Sequence, residues 1–197
     1  MIETQAPARS EDVDRILDAA RPHATRRRRP ALAVLVGLPA TGKSRIAEEL
    51  RARTGAVVLE SDALRRLLFR RRTYSALESR RLFDAVHAAI DTLLAEGVSL
   101  VLDATNVAEE EREPLYDIAG RRGARLVLVR VTAPELTVRR RLAQRRAAGL
   151  ALSEASERVY ERMRGRMEEI QRPHYLVDTS HDAGPVLAAI AREMTGP

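Results

Sequence analysis

The 197-residue chain contains no cysteine and no tryptophan, and only 3% of its residues are aromatic. Without cysteine there is no disulfide, thiolate metal ligand or cysteine nucleophile, so oxygen and nitrogen atoms must hold any cofactor. The scarcity of aromatic rings weakens the case for a protein that stacks the bases of single-stranded nucleic acid. No apolar run approaches the roughly 20 residues of a membrane-spanning helix, and the first residues do not resemble an export signal. We therefore expect a cytoplasmic protein.

Lysine is almost missing as well. Of the 34 basic residues 33 are arginine, and the only lysine is Lys43. The formal net charge of +6 favours acidic partners such as nucleotides, phosphorylated metabolites or nucleic acid, without choosing among them. Because nearly every other positive charge is a planar guanidinium, the exception indicates that position 43 requires a compact ammonium group.

Apolar runs of strand length alternate with helical patterns from residue 31 onward. The predicted strands are residues 31–36, 56–59, 99–102, 125–131 and 175–177. Near-continuous apolar strands joined by helices predict an α/β domain, whose parallel five-stranded sheet carries helices on both faces. Ligands of such sheets bind at the carboxyl ends of the strands.

Residues 1–30 are predicted to form a polar lead-in to a single domain that spans residues 31–197. The lead-in contains a short amphipathic helix at about residues 11–20 and then the run Arg26–Arg29. This run either contacts phosphates or, as is usual for a run of like charges, is a solvated linker.

A phosphate-binding pattern lies between the first strand and the following helix. It consists of a glycine, four further residues, and then Gly-Lys-Ser. The predicted nucleotide-binding residues are Gly37, Pro39, Ala40, Thr41, Gly42, Lys43 and Ser44. We expect the loop amides and the helix N-terminus to bind phosphate oxygens, with Lys43 at the β- and γ-phosphates and the Ser44 hydroxyl on Mg²⁺. The predicted cofactors are therefore ATP and Mg²⁺.

Two aspartates follow predicted strands. Asp103 stands at the tip of the third strand, like a carboxylate that binds Mg²⁺ directly or through water. Asp62, just beyond the second strand, is placed to accept a proton from an acceptor hydroxyl, and Arg65 on the same helical face would hold an acceptor phosphate or the transferring group. Either aspartate could instead only cap a helix, and Asn106 could be only a turn residue.

A strongly basic helix is predicted to begin at Pro134. Its arginines are Arg139, Arg140, Arg141, Arg145 and Arg146. We expect a helical lid over about residues 134–170, in which Arg141 and Arg145 share one face and stabilise charge on the transferring phosphoryl group. The alternative is a solvated helix face with Glu135 as its counter-charge.

These motifs resemble the small P-loop kinases that include the phage-type polynucleotide 5′-hydroxyl kinases, with zeta toxins and chloramphenicol phosphotransferase as more distant relatives. The resemblance covers about residues 32–163. It implies a nucleoside-kinase-like P-loop NTPase fold in which Asp62 is the general base, Arg65 contacts the acceptor phosphate and a lid arginine contacts the donor. Leu38 and Ala40 depart from the smaller residues that are frequent in this loop.

The expected activity is transfer of the ATP γ-phosphate to a hydroxyl group. The resemblance makes the 5′-hydroxyl end of DNA or RNA the first choice of acceptor. A small-molecule kinase acting on a nucleoside, sugar or antibiotic is the second hypothesis, and a nucleotide-binding regulatory ATPase without an acceptor is the third. The choice between ATP and GTP and the oligomeric state stay open at this point.

Overall fold

A computed structural model describes residues 10–148 and 153–196 of the chain. The strands are β1 (Ala31–Val36), β2 (Val57–Glu60), β3 (Leu100–Asp103), β4 (Arg125–Thr132) and β5 (Tyr175–Asp178). The helices are α1 (Glu11–Ala20), α2 (Lys43–Thr54), α3 (Ser61–Leu68), α4 (Ala76–Ala95), α5 (Glu109–Arg121), α6 (Glu135–Ala147), α7 (Ser153–Gly165) and α8 (Gly184–Thr195). A short 3-10 helix, Arg21–His23, follows α1.

All five strands are parallel and lie in the order β2-β3-β1-β4-β5, which confirms the predicted sheet. β1 is the central strand, and each of its six residues is buried. Strands buried on both faces are the physical reason that the sequence shows continuous apolar runs rather than alternating ones.

Alternate residues of the strands face two separate hydrophobic cores. Leu32, Val34 and Val36 of β1 pack in the core that α1, α4 and α5 cover. The residues between them, Ala31, Ala33 and Leu35, pack in the core that α2 and α8 cover. Helices therefore lie on both faces of the sheet, as the sequence predicts.

The order of the strands reverses direction beside β1. From β1 the chain runs through α2 to β2, which lies beyond β3, whereas β4 pairs with β1 on its other side. The connections that leave the adjacent strands β1 and β3 therefore run in opposite directions, to β2 and to β4, and such a reversal opens a crevice at the carboxyl ends of the two strands. The carboxyl edge of the sheet, where all five strands end, is therefore the expected location of a site.

Helix α4 has 20 residues and a well-defined start. Ser75 and Glu78 have the spacing that predicts a capping box, and the Ser75 side chain accepts a hydrogen bond from the Glu78 backbone nitrogen at 3.2 Å, so the cap is present. The predicted return bond is different, because the Glu78 carboxylate accepts from the backbone nitrogens of Thr73 and Tyr74 instead. Within the described ranges no helix combines the length and apolarity that crossing a membrane requires.

The sequence pattern predicts helices at about residues 63–70 and 154–170, and the boundaries of both differ in the structure. α3 begins at Ser61, directly after β2, so Asp62 lies in the first turn of a helix and not in a loop ahead of it. α7 ends at Gly165, five residues before the predicted end. Glycine is a weak helix former, and beyond it the Glu168 backbone nitrogen bonds to the Val107 carbonyl oxygen at 3.0 Å instead of continuing the helix.

Helix α1 shares the main core of the molecule. Val13, Ile16 and Leu17 are buried in the cluster that includes α4, and Asp12 forms two hydrogen bonds with Arg81 of α4. The predicted amphipathic helix is therefore present and packs on the domain. The division of the chain at residue 30 stays a prediction.

Candidate nucleotide-binding site

The loop between β1 and α2 places its backbone close to neighbouring groups. A Cβ atom at Gly37 would collide with the Val131 carbonyl oxygen of β4, so only glycine fits there. Gly42 precedes α2 with φ 106°, in the left-handed region that favours glycine. The loop leads directly into the N-terminus of α2, and the positive end of a helix dipole favours a phosphate group.

Lys43, the only lysine, is buried beneath this loop. Its Nζ atom donates hydrogen bonds to the carbonyl oxygens of Gly37 and Leu38, both at 2.9 Å. Burial lowers the pKa of Lys43 to about 8, the negative charge of Asp103 opposes this, and the Arg145 guanidinium adds to the lowering. An incoming triphosphate would replace the carbonyl partners with stronger, oppositely charged ones.

Asp103 lies at the end of β3, beside the start of α2. Burial raises the pKa of Asp103, while a hydrogen bond from the Ser44 hydroxyl and the charge of Lys43 oppose the increase. A hydroxyl and a carboxylate oxygen side by side are hard ligands of the type that Mg²⁺ prefers, and Mg²⁺ commonly takes few protein ligands in addition to phosphates and water. These two side chains therefore fit a magnesium ion bound with a nucleotide.

Asp62 projects from the first turn of α3 and is exposed. Its negative charge acts on the pKa of both Lys43 and Asp103, so the structure brings it to the same site. Arg145 of α6 acts on the same two groups from the lid. Two of the predicted residues, Lys43 and Asp103, thus both lie within electrostatic reach of two others, Asp62 and Arg145.

Arg65 is engaged elsewhere. Its guanidinium is buried, pairs with the Glu78 carboxylate at 2.5 Å and also contacts the ring of Tyr74. Hydrogen bonds from Thr73, together with the one from Arg65, hold the pKa of Glu78 down at about 2. Arg65 therefore fastens α3 to the start of α4. Its role toward an acceptor phosphate stays a prediction, and that role requires Arg65 to exchange Glu78 for the phosphate.

Arg141 holds the loop from the lid side. It donates to the carbonyl oxygens of Thr41 at 3.0 Å and Ala40 at 3.3 Å, and to the Thr179 hydroxyl at 2.9 Å. The Thr179 hydroxyl in turn donates to the Thr41 carbonyl at 2.6 Å. Arg141 thus bonds to the backbone of the loop, whereas the charge of Arg145, one helical turn later, acts on Lys43 and Asp103.

The two unusual loop residues pack against α6. Ala40 lies in a small apolar cluster with Val138 and Leu142 of α6, and Leu38 packs against it. Ala40 has φ 61°, which is unfavourable for a residue with a side chain. The contact with α6 gives a physical reason for side chains at these two positions, where the related loops often have smaller residues.

A family model described as an AAA domain matches residues 32–170. The chain belongs to this AAA-domain family. No curated protein matches it.

Solved structures resemble this AAA-domain protein over most of its length. Kti12 of Chaetomium thermophilum, solved with ADP-AlF3, has a TM-score of 0.66 at 22% identity over 84% of this chain and 100% of its own. The APS kinase CysC of Mycobacterium tuberculosis, solved with AMPPNP and APS, has a TM-score of 0.63 at 18% identity over 84% and 97% of the two chains. A sugar kinase of Janibacter has a TM-score of 0.61 at 16% identity, over 85% of this chain and 96% of its own. The fold is that of P-loop kinases.

Glu60 is a third carboxylate of the site, and the sequence prediction missed it. It ends β2 directly opposite Asp103 in the sheet register and lies 3.9 Å from Arg66. Burial raises the pKa of Glu60, and the charge of Asp103 adds to the increase. The signal was available, because Glu60 ends its strand in the same way as Asp103.

Asn106 and Arg112 of the AAA-domain protein support the site from behind. Asn106 donates to the Leu35 carbonyl of β1 at 2.8 Å, while Arg112 is fully buried and donates to the carbonyl oxygens of Asn106 and Val107. The Gly37 nitrogen bonds to the Thr105 carbonyl oxygen at 2.9 Å. Asn106 therefore ties the segment after Asp103 to the segment that leads into the phosphate loop.

Proposed function

We propose that the protein transfers the γ-phosphate of ATP to a hydroxyl group of a small molecule. The observation that carries the proposal is that Asp62, an exposed carboxylate in the first turn of α3, lies two residues after Glu60, which is opposite Asp103 in the sheet; its charge also acts on Lys43 and Asp103. A protein that only binds or hydrolyses nucleotide does not need a carboxylate on the acceptor side of its phosphate loop. A phosphotransferase needs one that orients a hydroxyl and takes its proton.

In this proposal some residues bind the phosphate donor, and others act on the acceptor hydroxyl and the transferring group. The loop amides and Lys43 bind the β- and γ-phosphates, and Ser44 and Asp103 would hold Mg²⁺, which supplies positive charge to the phosphate oxygens. The acceptor oxygen forms a bond to the γ-phosphorus while the bond from that phosphorus to the bridging oxygen breaks. Asp62 receives the hydroxyl proton, ADP leaves, and Arg145 stabilises negative charge on the transferring group.

The acceptor side favours a neutral hydroxyl compound, such as a sugar or nucleoside. Glu60 and Asp62 make this side negative, and the nearby Arg65 is already paired with Glu78. A phosphorylated acceptor would have to overcome the two carboxylates and displace Glu78, at the cost of leaving a buried carboxylate unpaired.

A polynucleotide 5′-hydroxyl end is the second candidate acceptor. The segment between α3 and α4 supports it, because Arg70–Arg72 are exposed and Tyr74, which is 52% exposed, presents an aromatic ring. Arginines next to an exposed ring suit a phosphate chain with a stacked base.

An acceptor screen tests both candidates. ADP formation from MgATP would be measured with sugars, nucleosides, hydroxylated antibiotics and 5′-hydroxyl oligonucleotides, and phosphorylated products identified by mass. Stimulation by a small hydroxyl compound, abolished in Asp62→Asn, is the expected result. Stimulation by oligonucleotides alone would favour the second candidate, and ADP formation with no phosphorylated acceptor would favour the regulatory ATPase.

A further inference from the structure

A second basic surface lies at the amino edge of the sheet, where the strands begin. Residues 25–30 form this edge together with the end of α2 and the turn before β3. The backbone nitrogen of Arg27 donates a hydrogen bond to the Gly97 carbonyl oxygen at 2.7 Å, and Arg26 forms a β-bridge with Val98. We call the exposed side chains of Arg26, Arg28, Arg29 and Arg53 the amino-edge surface.

Two arginines beside this surface form hydrogen bonds to carbonyl oxygens at the ends of helices. Arg27 donates to the Thr54 carbonyl oxygen at the end of α2, at 2.8 Å. Arg125 donates to the carbonyl oxygens of Glu193 and Gly196 at the end of α8. Guanidinium groups in these places satisfy carbonyls that have no partner within the helix and offset the negative end of the helix dipole.

The four arginines of the amino-edge surface have no such partner. Within residues 10–148 and 153–196, none of their guanidinium groups forms a hydrogen bond or an ion pair. Acidic side chains on the nearby elements are already engaged, since Glu48 pairs with Arg51 at 2.6 Å and Glu96 with Arg21 at 2.7 Å. The surface therefore carries positive charge that the described part of the fold does not neutralise.

We propose that the amino-edge surface binds the phosphate backbone of double-stranded nucleic acid. Guanidinium groups bind phosphate oxygens through paired hydrogen bonds, and a row of them fits a repeated phosphate chain. Residues 25–30, 51–55 and 96–99, which form this edge, include no aromatic residue, so they offer no ring on which an unpaired base could stack, and this favours a duplex over a single strand.

The composition of the surface argues against two other acidic partners. Among the described residues, the exposed large hydrophobic side chains are Tyr74, Leu77, Leu136 and Leu176. None of them lies in residues 25–30, 51–55 or 96–99, the segments that form the amino edge. An acidic protein would need apolar anchors at the centre of its interface, and stable binding to a membrane surface would need apolar groups that enter the lipid.

The surface is separate from the acceptor site. The six residues of β1 that run from one edge of the sheet to the other span roughly 20 Å. Nucleic acid bound at the amino edge would therefore locate the protein on a duplex and would leave the carboxyl edge open for small substrates. The proposal does not depend on the acceptor that the enzyme uses.

Fluorescence anisotropy with a labelled DNA duplex of about 20 base pairs, long enough to cover the surface, tests the proposal. Both 5′ ends would carry phosphate, so that no acceptor hydroxyl is offered there. The full chain is compared with the double variant Arg28→Glu/Arg29→Glu at several salt concentrations. We expect the variant to bind roughly tenfold or more weakly, and the slope of log affinity against log salt to decrease by about 1.8, the value for two lost phosphate contacts.

The matched control is Arg80→Glu/Arg162→Glu, which changes the net charge equally at two exposed arginines elsewhere. It should bind the duplex at least several times more tightly than the amino-edge variant, and both variants should keep the melting temperature of the parent. Equal losses in the two variants, or no binding by the parent protein at about 0.1 M salt, would overturn the proposal. So would binding to vesicles containing phosphatidylserine in place of the duplex.

Discussion

At the carboxyl edge of the sheet, three carboxylates share a space with one lysine and a lid arginine, whereas at the amino edge exposed arginines have no acidic partner among the described residues. At the carboxyl edge each charge changes the pKa of its neighbours, as for Lys43, Glu60 and Asp103. At the amino edge the arginines either bind helix carbonyls or face solvent. The net charge of the chain therefore predicts the chemistry of neither edge, because the neighbours of a charged side chain determine its pKa and the ligands that it can bind.

The largest expected effect at the carboxyl edge is that of Asp62→Asn. Asparagine keeps the shape of the side chain but cannot take a proton, so kcat should fall by roughly 10²–10⁴ while affinity for MgATP changes less than about twofold. Steady-state kinetics on the acceptor found in the screen, with binding measured by calorimetry, would check this. Glu60→Gln is the matched control, and its kcat should fall far less than that of Asp62→Asn. A larger loss of kcat in Glu60→Gln than in Asp62→Asn would identify Glu60 as the base.

The two lid arginines should separate binding from catalysis. Arg145→Ala should lower kcat by about 10–10³ with little change in the KM for ATP, because in the proposed mechanism Arg145 stabilises charge on the transferring group. Arg141→Ala should chiefly raise that KM, by roughly tenfold, since charged hydrogen bonds to the loop are lost. Arg146→Ala is the control and should behave as the parent. Identical kinetic changes in Arg141→Ala and Arg145→Ala would refute the division of roles.

Lys43 should make nucleotide binding depend on pH. Its pKa of about 8 in the free protein should rise when phosphates surround it, so binding takes up a proton and affinity falls as pH rises above about 8, by up to roughly tenfold per pH unit. Calorimetry in buffers of different ionisation enthalpy measures the proton uptake. Lys43→Arg, which stays charged, should lose this dependence. A parent affinity that is constant from pH 7 to about 9.5 would contradict the lowered pKa.

Arg27→Ala probes the amino edge and should affect stability alone. Loss of its hydrogen bond to Thr54 should lower the free energy of unfolding by roughly 1–2 kcal/mol, as measured by urea denaturation, and leave kcat and KM unchanged. Arg28→Ala, which loses no hydrogen bond, is the control and should leave stability unchanged. A kinetic defect in Arg27→Ala would show that the two edges are coupled.

The smallest expected effect is that of Ala40→Gly. Relief of the unfavourable backbone conformation, about 1–2 kcal/mol, should be largely offset by the lost methyl contact and the greater freedom of glycine in the unfolded chain. Stability should therefore change by less than about 1 kcal/mol. Ala40→Val, whose branched side chain resists this conformation, should be clearly less stable in the same denaturation experiment. A valine variant as stable as the parent would contradict the described loop geometry.

The sequence predicts the sheet and the phosphate loop well because both depend on local patterns. The bounds of β1 agree with the prediction, and Lys43 was recognisable from the spacing of its neighbours and from being the only lysine. A strand that is buried on both faces appears in the sequence as a continuous apolar run. The loop requires glycine where its backbone is crowded.

The partners of individual side chains could not be predicted in this way. Arg65 shares a helical face with Asp62 in the sequence pattern, but it pairs with Glu78 because of the way α4 packs against α3. Thr179 bonds to Thr41 across 138 positions of the chain. Periodicity indicates which face of an element is buried. It does not indicate which residue of a distant element it will meet.

The most direct test of the central claim is a calorimetric titration of the full chain with ATP in the presence and absence of Mg²⁺. We expect one nucleotide to bind per chain, more tightly with Mg²⁺, and binding to weaken at least about tenfold in Lys43→Ala because charge-assisted contacts to the phosphates are lost. Equal affinity in the parent and Lys43→Ala, or no binding of ATP by either, would contradict the assignment of residues 37–44 as the phosphate-binding loop.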